Sequence, residues 1–410
     1  MVTAPTRTLL LYAQDHKGLG HITRTLTIAR HLLAAYPDAV AYVATESPIT
    51  RDFVLPERCD YIKLPTRLTP RRASPTPGDS ADDARFRRLR AELLRDVALG
   101  LAPDLVLVDH EPLGHKGEFS DGLSALKAHS PGTKFVFGLR DIMDDIGRIR
   151  GQWRELGVYD ALEQLYDGIA VYGQPDLFDV ADAYAIPESV RPKLHYCGYV
   201  VRDLPTADAT VVRRRYGLPE RGLLLAASVG SGSDGYPVLD AACTAVERLR
   251  RTFPNLVAVL VTGPFMPTRE RTLLQARATP ACRVVPEADT LELMAAADAI
   301  LGMGGYNSVI EALAAARPLV IVPRATHKVE QQIRAETLAA QELAQWVHPK
   351  DLNGDGGGGG GGGGSKLAAA LEWALRRDRA EHARRVREII PAFDGATRLT
   401  AYLAQWLGGD

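Results

Sequence analysis

Residues 297–324 read ADAILGMGGYNSVIEALAAARPLVIVPR. The apolar run ends as a strand at Gly302, Gly304 and Gly305 open a tight turn, and a helix starts near Asn307 before PLVIVPR returns to strand character. Strand, glycine turn, helix and strand make one unit of a parallel sheet. The helix start presents free amide groups to an anion, and the glycines let a diphosphate approach the main chain closely. Glu311 lies one turn in from Asn307 on the same face, where a carboxylate can accept hydrogen bonds from a vicinal diol. An acid in a first turn can also serve only to complement the helix dipole.

The same rhythm runs outward in both directions. LLLAASVG, NLVAVLVTG and CRVVPE complete a parallel sheet in the second half of the chain. In the first half, TLLLYA, AVAYVAT, DLVLVD, KFVFGL, GIAVYG and KLHYCGYV alternate with helical periodicity or long polar loops and form another. Between them, VRDLPTADATVVRRRYGLPERG is polar and contains prolines, which suits a linker, with the boundary near residue 205. A chain of 410 residues, 46% hydrophobic, is long enough to bury two cores. PTRLTPRRASPTPGDSADDARFRR (65–88) reads as a mobile loop, serving either to fold over a substrate or as a plain solvated connection. The run Gly356–Gly364 offers no side-chain chemistry, behaves as a flexible tether and looks engineered. KLAAALEWALRRDRAEHARRVREII and ATRLTAYLAQWL, which follow it, read as amphipathic terminal helices.

Charge narrows the partners. Lys plus Arg (49) nearly balance Asp plus Glu (50), so no global field recruits nucleic acid or an anionic membrane, and a neutral or small-molecule partner is favoured. Cys59, Cys197, Cys243 and Cys282 stand far apart in sequence without a C-x-x-C pair, against both a zinc site and a disulfide framework. They read as reduced core residues of a cytoplasmic protein. The N-terminal apolar run is too short for a signal peptide, and no window reaches the ~20 apolar residues of a spanning helix.

Near the N-terminus, LLLYAQDHKGLGHITRTLTIARHLL (9–33) sets His21 between a strand with a glycine-rich loop and the start of a helix. Gly18, Gly20 and Thr23 approximate the dinucleotide fingerprint, with Glu46 near the place of a ribose-binding acid. The third glycine is missing, however, and the loop before the first glycine is long. Ile22, Leu26, Ala29 and Leu33 form one buried helix face, which leaves His21 in the first turn, aimed at the carboxyl edge of the sheet. A purely structural histidine is the competing reading.

With these motifs in order, the second half closely resembles the donor domain of GT-B glycosyltransferases of the MurG type, which add N-acetylglucosamine to a peptidoglycan lipid intermediate. The whole chain resembles a group of predicted bacterial glycosyltransferases related to family 28. The segments that carry the resemblance are KGLGHITRTLTIARHL, DLVLVDHEPLGHKGEF, GLRDIMDD, SVGSGSDG, GGYNSVIEALAAARPLVIVPR and EQQIRAETL. It implies an α/β protein of GT-B architecture, two Rossmann-like domains with parallel sheets facing a central cleft. Residues 1–205 would bind the acceptor and 206–380 the nucleotide-sugar donor, with helices at 381–410 able to pack back on the N-terminal domain.

Carried over residue by residue, the resemblance assigns Glu311 to the ribose hydroxyls and Gln331 and Gln332 to the sugar hydroxyls. Ser228, Gly230 and Ser231 match the glycine and serine loop near the diphosphate, and His21 a proposed catalytic position. VPRATHK is one residue longer than the MurG-type pattern before the glutamine pair, and Arg324 is an added cation, there to meet the diphosphate or to pair on the surface.

Sugar transfer must stabilise a departing nucleotide diphosphate and deprotonate an acceptor. The helix terminus with Gly304, Gly305, Asn307 and Ser308 suits the first task, with Arg324 or Lys328 as cations. A histidine suits the second, since free imidazole titrates near ~6.5. Asp109, closing DLVLVD, is placed to orient that imidazole or simply to cap a loop. No D-x-D sequence occurs, so metal-independent transfer with no cofactor beyond the nucleotide-diphosphate sugar is expected, and the resemblance implies inversion at the anomeric carbon.

For the acceptor, Glu111, Glu118, Asp141, Asp144 and Asp145 form an acidic set suited to a cationic group such as an amino sugar. The competing reading, which is favoured, has them capping helices and pairing with Arg140, Arg148 and Arg150. The expected activity is transfer from a nucleotide-diphosphate sugar, UDP-linked, for example UDP-N-acetylglucosamine, to a small molecule such as a natural product or amino sugar. A nucleotide-sugar 2-epimerase of the same fold, a silent nucleotide-sugar binding subunit and a nicotinamide oxidoreductase are the alternatives.

Overall fold

A computed structural model describes residues 6–14, 19–47, 54–66, 81–206, 208–324, 328–352 and 364–408. The chain divides into two units, one comprising Met1–Val200 with Asp394–Asp410 and the other Val201–Phe393.

In the first unit seven strands form one sheet: β1 (Arg7–Ala13), β2 (Ala39–Thr45), β3 (Cys59–Lys63), β4 (Leu105–Asp109), β5 (Lys134–Arg140), β6 (Gly168–Tyr172) and β7 (Leu194–Tyr196). Their order is β3-β2-β1-β4-β5-β6-β7, with parallel pairing throughout. β4 and β6 are buried along their whole length, as strands covered on both faces must be. The helix Gly20–Ala35 turns Ile22, Leu26, Ala29 and Leu33 inward, the face expected from their spacing. The C-terminal helix Gly395–Leu407 belongs to this unit. Arg7 Nε donates to the Leu407 carbonyl at 2.7 Å, and the rings of His195 and Tyr402 stack 4.2 Å apart.

The second unit has six strands: β8 (Leu224–Ser228), β9 (Val257–Val261), β10 (Cys282–Val285), β11 (Ala299–Gly302), β12 (Leu319–Ile321) and β13 (Ala344–Trp346). Their order is β10-β9-β8-β11-β12-β13, again parallel. Counted from each unit's first strand, both sheets begin in the order 3-2-1-4-5-6, the doubly wound arrangement.

Several local readings change. The passage read as a loop at 65–88 is helical from Ala81, the first residue of a helix running to Leu101; residues 67–80 lie outside the described residues. The reason is downstream: Arg90, Leu94 and Ala98 are buried, and those anchors carry the polar first turns into the helix. β3 and β13 were absent from the sequence reading because one is a half-exposed edge strand and the other spans three residues. The helix start read near Asn307 is at Tyr306. Cys243 and Cys282, distant in sequence, have their sulfurs 3.7 Å apart as free thiols. Most of the glycine run lies outside the described residues, and Gly364 begins the helix ending at Arg376.

Candidate active site

An open parallel sheet has one place where neighbouring strands send their connections in opposite directions, and the carboxyl ends of those two strands frame a crevice. In the first unit these strands are β1 and β4, which pair Ala13 with Asp109 at their ends. The chain leaving β1 reaches the helix Gly20–Ala35, so His21 in its first turn and Asp109 meet at the crevice; Gly18 lies outside the described residues.

The His21 Nδ1 stands 2.6 Å from Asp109 Oδ2. Arg24, one turn further along the helix, donates from Nε to Asp109 Oδ1 at 3.0 Å and from Nη2 to both carboxylate oxygens, at 2.9 and 2.7 Å. Its guanidinium lies 5.4 Å from the Tyr172 ring centre. Burial would push the Asp109 carboxyl up, but the Arg24 charge and then His21 outweigh it and hold the group at about 2. An ionised Asp109 only accepts, so this contact puts a proton on Nδ1, and in the neutral ring the lone pair is then on Nε2; Arg24 Nη2, a donor 2.9 Å from the same nitrogen, bonds to the carboxylate. The His110 ring lies 4.6 Å from that of His21, on a residue with φ of 70°, a left-handed conformation that costs a non-glycine side chain energy and is concentrated at sites. Arg24 was missed from sequence; its signal is the three-residue spacing that puts it on the helix face of His21.

The acidic set is engaged with protein groups. Glu118 accepts two bonds from Arg90, each 2.6 Å, and a third from the Tyr12 hydroxyl at 2.9 Å. Arg90 also reaches Glu46 at 2.8 Å, so the acid of the dinucleotide reading is a partner in a buried ion pair. Asp144 accepts from Arg148 at 2.9 Å, Asp145 caps the helix Ile146–Glu155 through the Arg148 amide, and Asp141 accepts from the Ile142 amide. Glu111 stands 3.3 Å from His115. Arg140 and Arg150 donate to main-chain carbonyls, of Met143 and of Asp182 and Ala183.

In the second unit the two strands at the crevice are β8 and β11, paired there as Ser228 with Gly302. The loops after them carry the glycines. Gly304 has φ of 86°, and a Cβ there would come within 2.9 Å of Ile321 Cγ2, so a side chain is excluded twice over. At Gly305 a Cβ would meet nothing within 4 Å, which leaves bare main chain at the N-cap of the helix Tyr306–Ala314. Arg334, 2% exposed, fixes the turn by donating to the Gly304 carbonyl at 2.8 Å. Gly230 has φ of 63° and open space beside it, and the Ser231 carbonyl accepts from the Phe265 amide at 2.8 Å. Asn307 and Ser308, in the first helical turn, are half-buried.

Glu311 is 4% exposed and accepts from Arg202 Nε at 2.6 Å. Gln331 accepts from the Arg324 amide at 2.9 Å, while Gln332 donates to Glu336 at 2.9 Å. The Arg324 side chain approaches Asp234, 3.4 Å away, so this cation ties the loop after β12 to the loop after β8. Arg202, Arg334 and Asp234 were missed because each acts on a partner remote in sequence. Among the described residues no group of three or more His, Cys, Asp and Glu gathers as a metal site, and no helix is long and apolar enough to cross a membrane.

Residues 227–355 match the glycosyltransferase family 28 C-terminal domain. The chain has the GT-B fold, with a family 28 C-terminal domain in its second unit. A calicheamicin glycosyltransferase is 18% identical, with 98% of both chains covered and a TM-score of 0.63. MurG of Acinetobacter baumannii is 14% identical, with 97% of this chain and 99% of that one covered and a TM-score of 0.58. Phytolacca americana UGT2, solved with UDP-2-fluoro-glucose and pterostilbene, is 15% identical, with 99% of this chain and 100% of that one covered and a TM-score of 0.65. No curated protein sequence matches the chain. The family match thus falls on the unit with the glycine turn, the helix terminus and Glu311.

Proposed function

We propose that the protein moves a sugar from a UDP-linked donor such as UDP-N-acetylglucosamine to a hydroxyl or amine of a small molecule, with inversion and without a metal. The observation that carries this reading is the His21–Asp109 contact of 2.6 Å at the crevice of the first unit, with the family 28 domain supplying the donor half. In the reaction the acceptor O–H or N–H gives its proton to His21 Nε2 as the acceptor atom bonds to the anomeric carbon. The bond from that carbon to the diphosphate breaks with its electron pair going to the nucleotide. Attack opposite the leaving group inverts the centre. Amides at the start of the helix Tyr306–Ala314, with Asn307 and Ser308, take the charge that develops on the diphosphate. Glu311 receives the ribose hydroxyls, Gln331 and Gln332 the sugar, and Ser228, Gly230 and Ser231 line the diphosphate.

In this reading the first unit binds the acceptor, with Glu111, Asp141 and Asp144 at its edge, the second binds the donor, and the enzyme works in the cytoplasm. The pairing of those carboxylates supports an uncharged natural product over an amino sugar. UDP is supported by the UDP-sugar bound to the Phytolacca americana relative. The test is a thermal-shift screen of nucleotide diphosphates and nucleotide sugars, since a ligand that binds only the folded state raises the melting temperature. The best donor is then incubated with candidate acceptors. Stabilisation by UDP and its sugars, with product only when acceptor is present, is expected. Donor isomerisation without any acceptor would identify an epimerase, and binding without turnover a silent subunit; either refutes the proposal.

A further inference from the structure

We infer that Arg24 is a positioning residue for His21, clamping Asp109 through both carboxylate oxygens and offsetting the negative charge that faces the imidazole. This rests on the reading of His21 as the base. The Arg24 and Asp109 side chains are 1% and 2% exposed. Burying such an ion pair costs desolvation that its attraction does not reliably return, so stability alone is a weak reason for its presence. Its geometry supplies another. Arg24 Nη2 bonds both oxygens of Asp109 and also lies 2.9 Å from His21 Nδ1, which makes a closed triangle of imidazole, carboxylate and guanidinium.

A buried carboxylate alone beside an imidazole favours the imidazolium, and an imidazolium cannot take a proton from an acceptor. With Arg24 in place the carboxylate still accepts from Nδ1 and orients the ring, but carboxylate and guanidinium together carry no net charge. Orientation is thereby separated from protonation. The guanidinium also lies over the Tyr172 ring, 5.4 Å from its centre. The charged and titratable groups described around His21 are Asp109 at the end of β4, Arg24 on its own helix, and His110 just after β4. Arg24 stands three residues from His21 on one helix, whereas its pairing with Asp109 spans 85 residues.

The test is a charge cycle read by NMR titration of the His21 ring, assigned by its loss in His21→Gln, on the full chain. Removing the positive charge (Arg24→Met) should raise the His21 midpoint by about one pH unit, and removing the negative charge (Asp109→Asn) should lower it by a similar amount. The double variant should return it to within ~0.3 unit of the wild type while turnover stays low, because the ring is no longer oriented. Arg24→Lys keeps the charge but cannot span both oxygens, so it should leave the midpoint in place and lower kcat about 10-fold with donor KM unchanged. Unmoved midpoints in folded Arg24→Met and Asp109→Asn would overturn the inference and make Arg24 a packing residue. Should Arg24→Met not fold, Asp109→Asn decides alone: a midpoint that does not fall overturns it. Wild-type turnover by His21→Ala would instead refute the base itself, an outcome separate from the titration.

Discussion

His382 makes the folded state sensitive to acid. It lies in the helix Arg379–Ile389 with no exposed surface. Burial, and then the nearby Arg377 charge, push its imidazole down to about 4, only partly offset by the Arg317 main chain. In the unfolded chain the same ring titrates near ~6.5. Between those values the unfolded state binds the proton and the folded state does not, so stability falls as pH falls through that window and is recovered above it. With the two pKa values inserted, the linkage relation gives a loss of about 2 kcal/mol at about pH 5 relative to about pH 8, approaching about 3 kcal/mol near pH 4. His382→Leu removes the titration and keeps an apolar filling. Urea unfolding of both proteins across that range, followed by circular dichroism, gives the difference in stability as a function of pH, in which groups common to both cancel. The leucine variant should gain on the wild type by about 2 kcal/mol as pH drops from about 8 to about 5. A difference that stays flat with pH would refute the reasoning, whatever the absolute stabilities.

Other expectations concern the chemistry. His21→Ala should lower turnover by roughly 10² to 10⁴ on a hydroxyl acceptor with donor affinity nearly unchanged, measured by steady-state kinetics and calorimetry; near-wild-type turnover would leave Glu111 as the next candidate. Glu311→Ala should weaken nucleotide diphosphate binding by about 1.5 to 3 kcal/mol, and unchanged calorimetric affinity would remove Glu311 from the site. Gly304→Ala, which demands a side chain at φ of 86° against Ile321 and the Gln331 carbonyl, should impair both donor binding and the melting temperature of the second unit. Treatment with a chelator should leave transfer intact; loss of activity restored by magnesium would contradict metal-independent transfer.

The doubly wound fold was legible because its strands are buried on both faces and therefore read as unbroken apolar runs, as in DLVLVD and LLAAS. Where burial is partial the signal fades: CDYIK in β3 has half-buried and exposed positions without regular alternation and no fully buried one. The crevices were legible through chain geometry, since a glycine turn between strand and helix marks the carboxyl edge of a sheet whatever binds there. The partners of the polar side chains were not. Arg24 finds Asp109, and Arg202 finds Glu311, across 85 and 109 residues, and only the closed sheets bring them together. Gln331 and Gln332 show the converse: a local pattern marks the residues but not the Arg324 amide and Glu336 that hold them.

The C-terminal helix has a consequence for how the chain can be made and rearranged. Because Asp394–Asp410 belongs to the first unit, the second unit is an uninterrupted insert, Val201–Phe393, within a host whose sequence is split. The two cut ends of the host are neighbours, the Gly395 amide donating to the Tyr199 carbonyl at 3.0 Å. During synthesis β1 can pair with β2 and β4 early, but Arg7 meets the Leu407 carbonyl only when the turn that carries Leu407 emerges. The insert can complete its own sheet before then. For engineering, the same adjacency means that one pair of junctions suffices to exchange the insert for that of another chain, or to bridge the gap and express the host alone. Truncating the C-terminus, by contrast, would strip cover from the sheet formed by the other end of the chain.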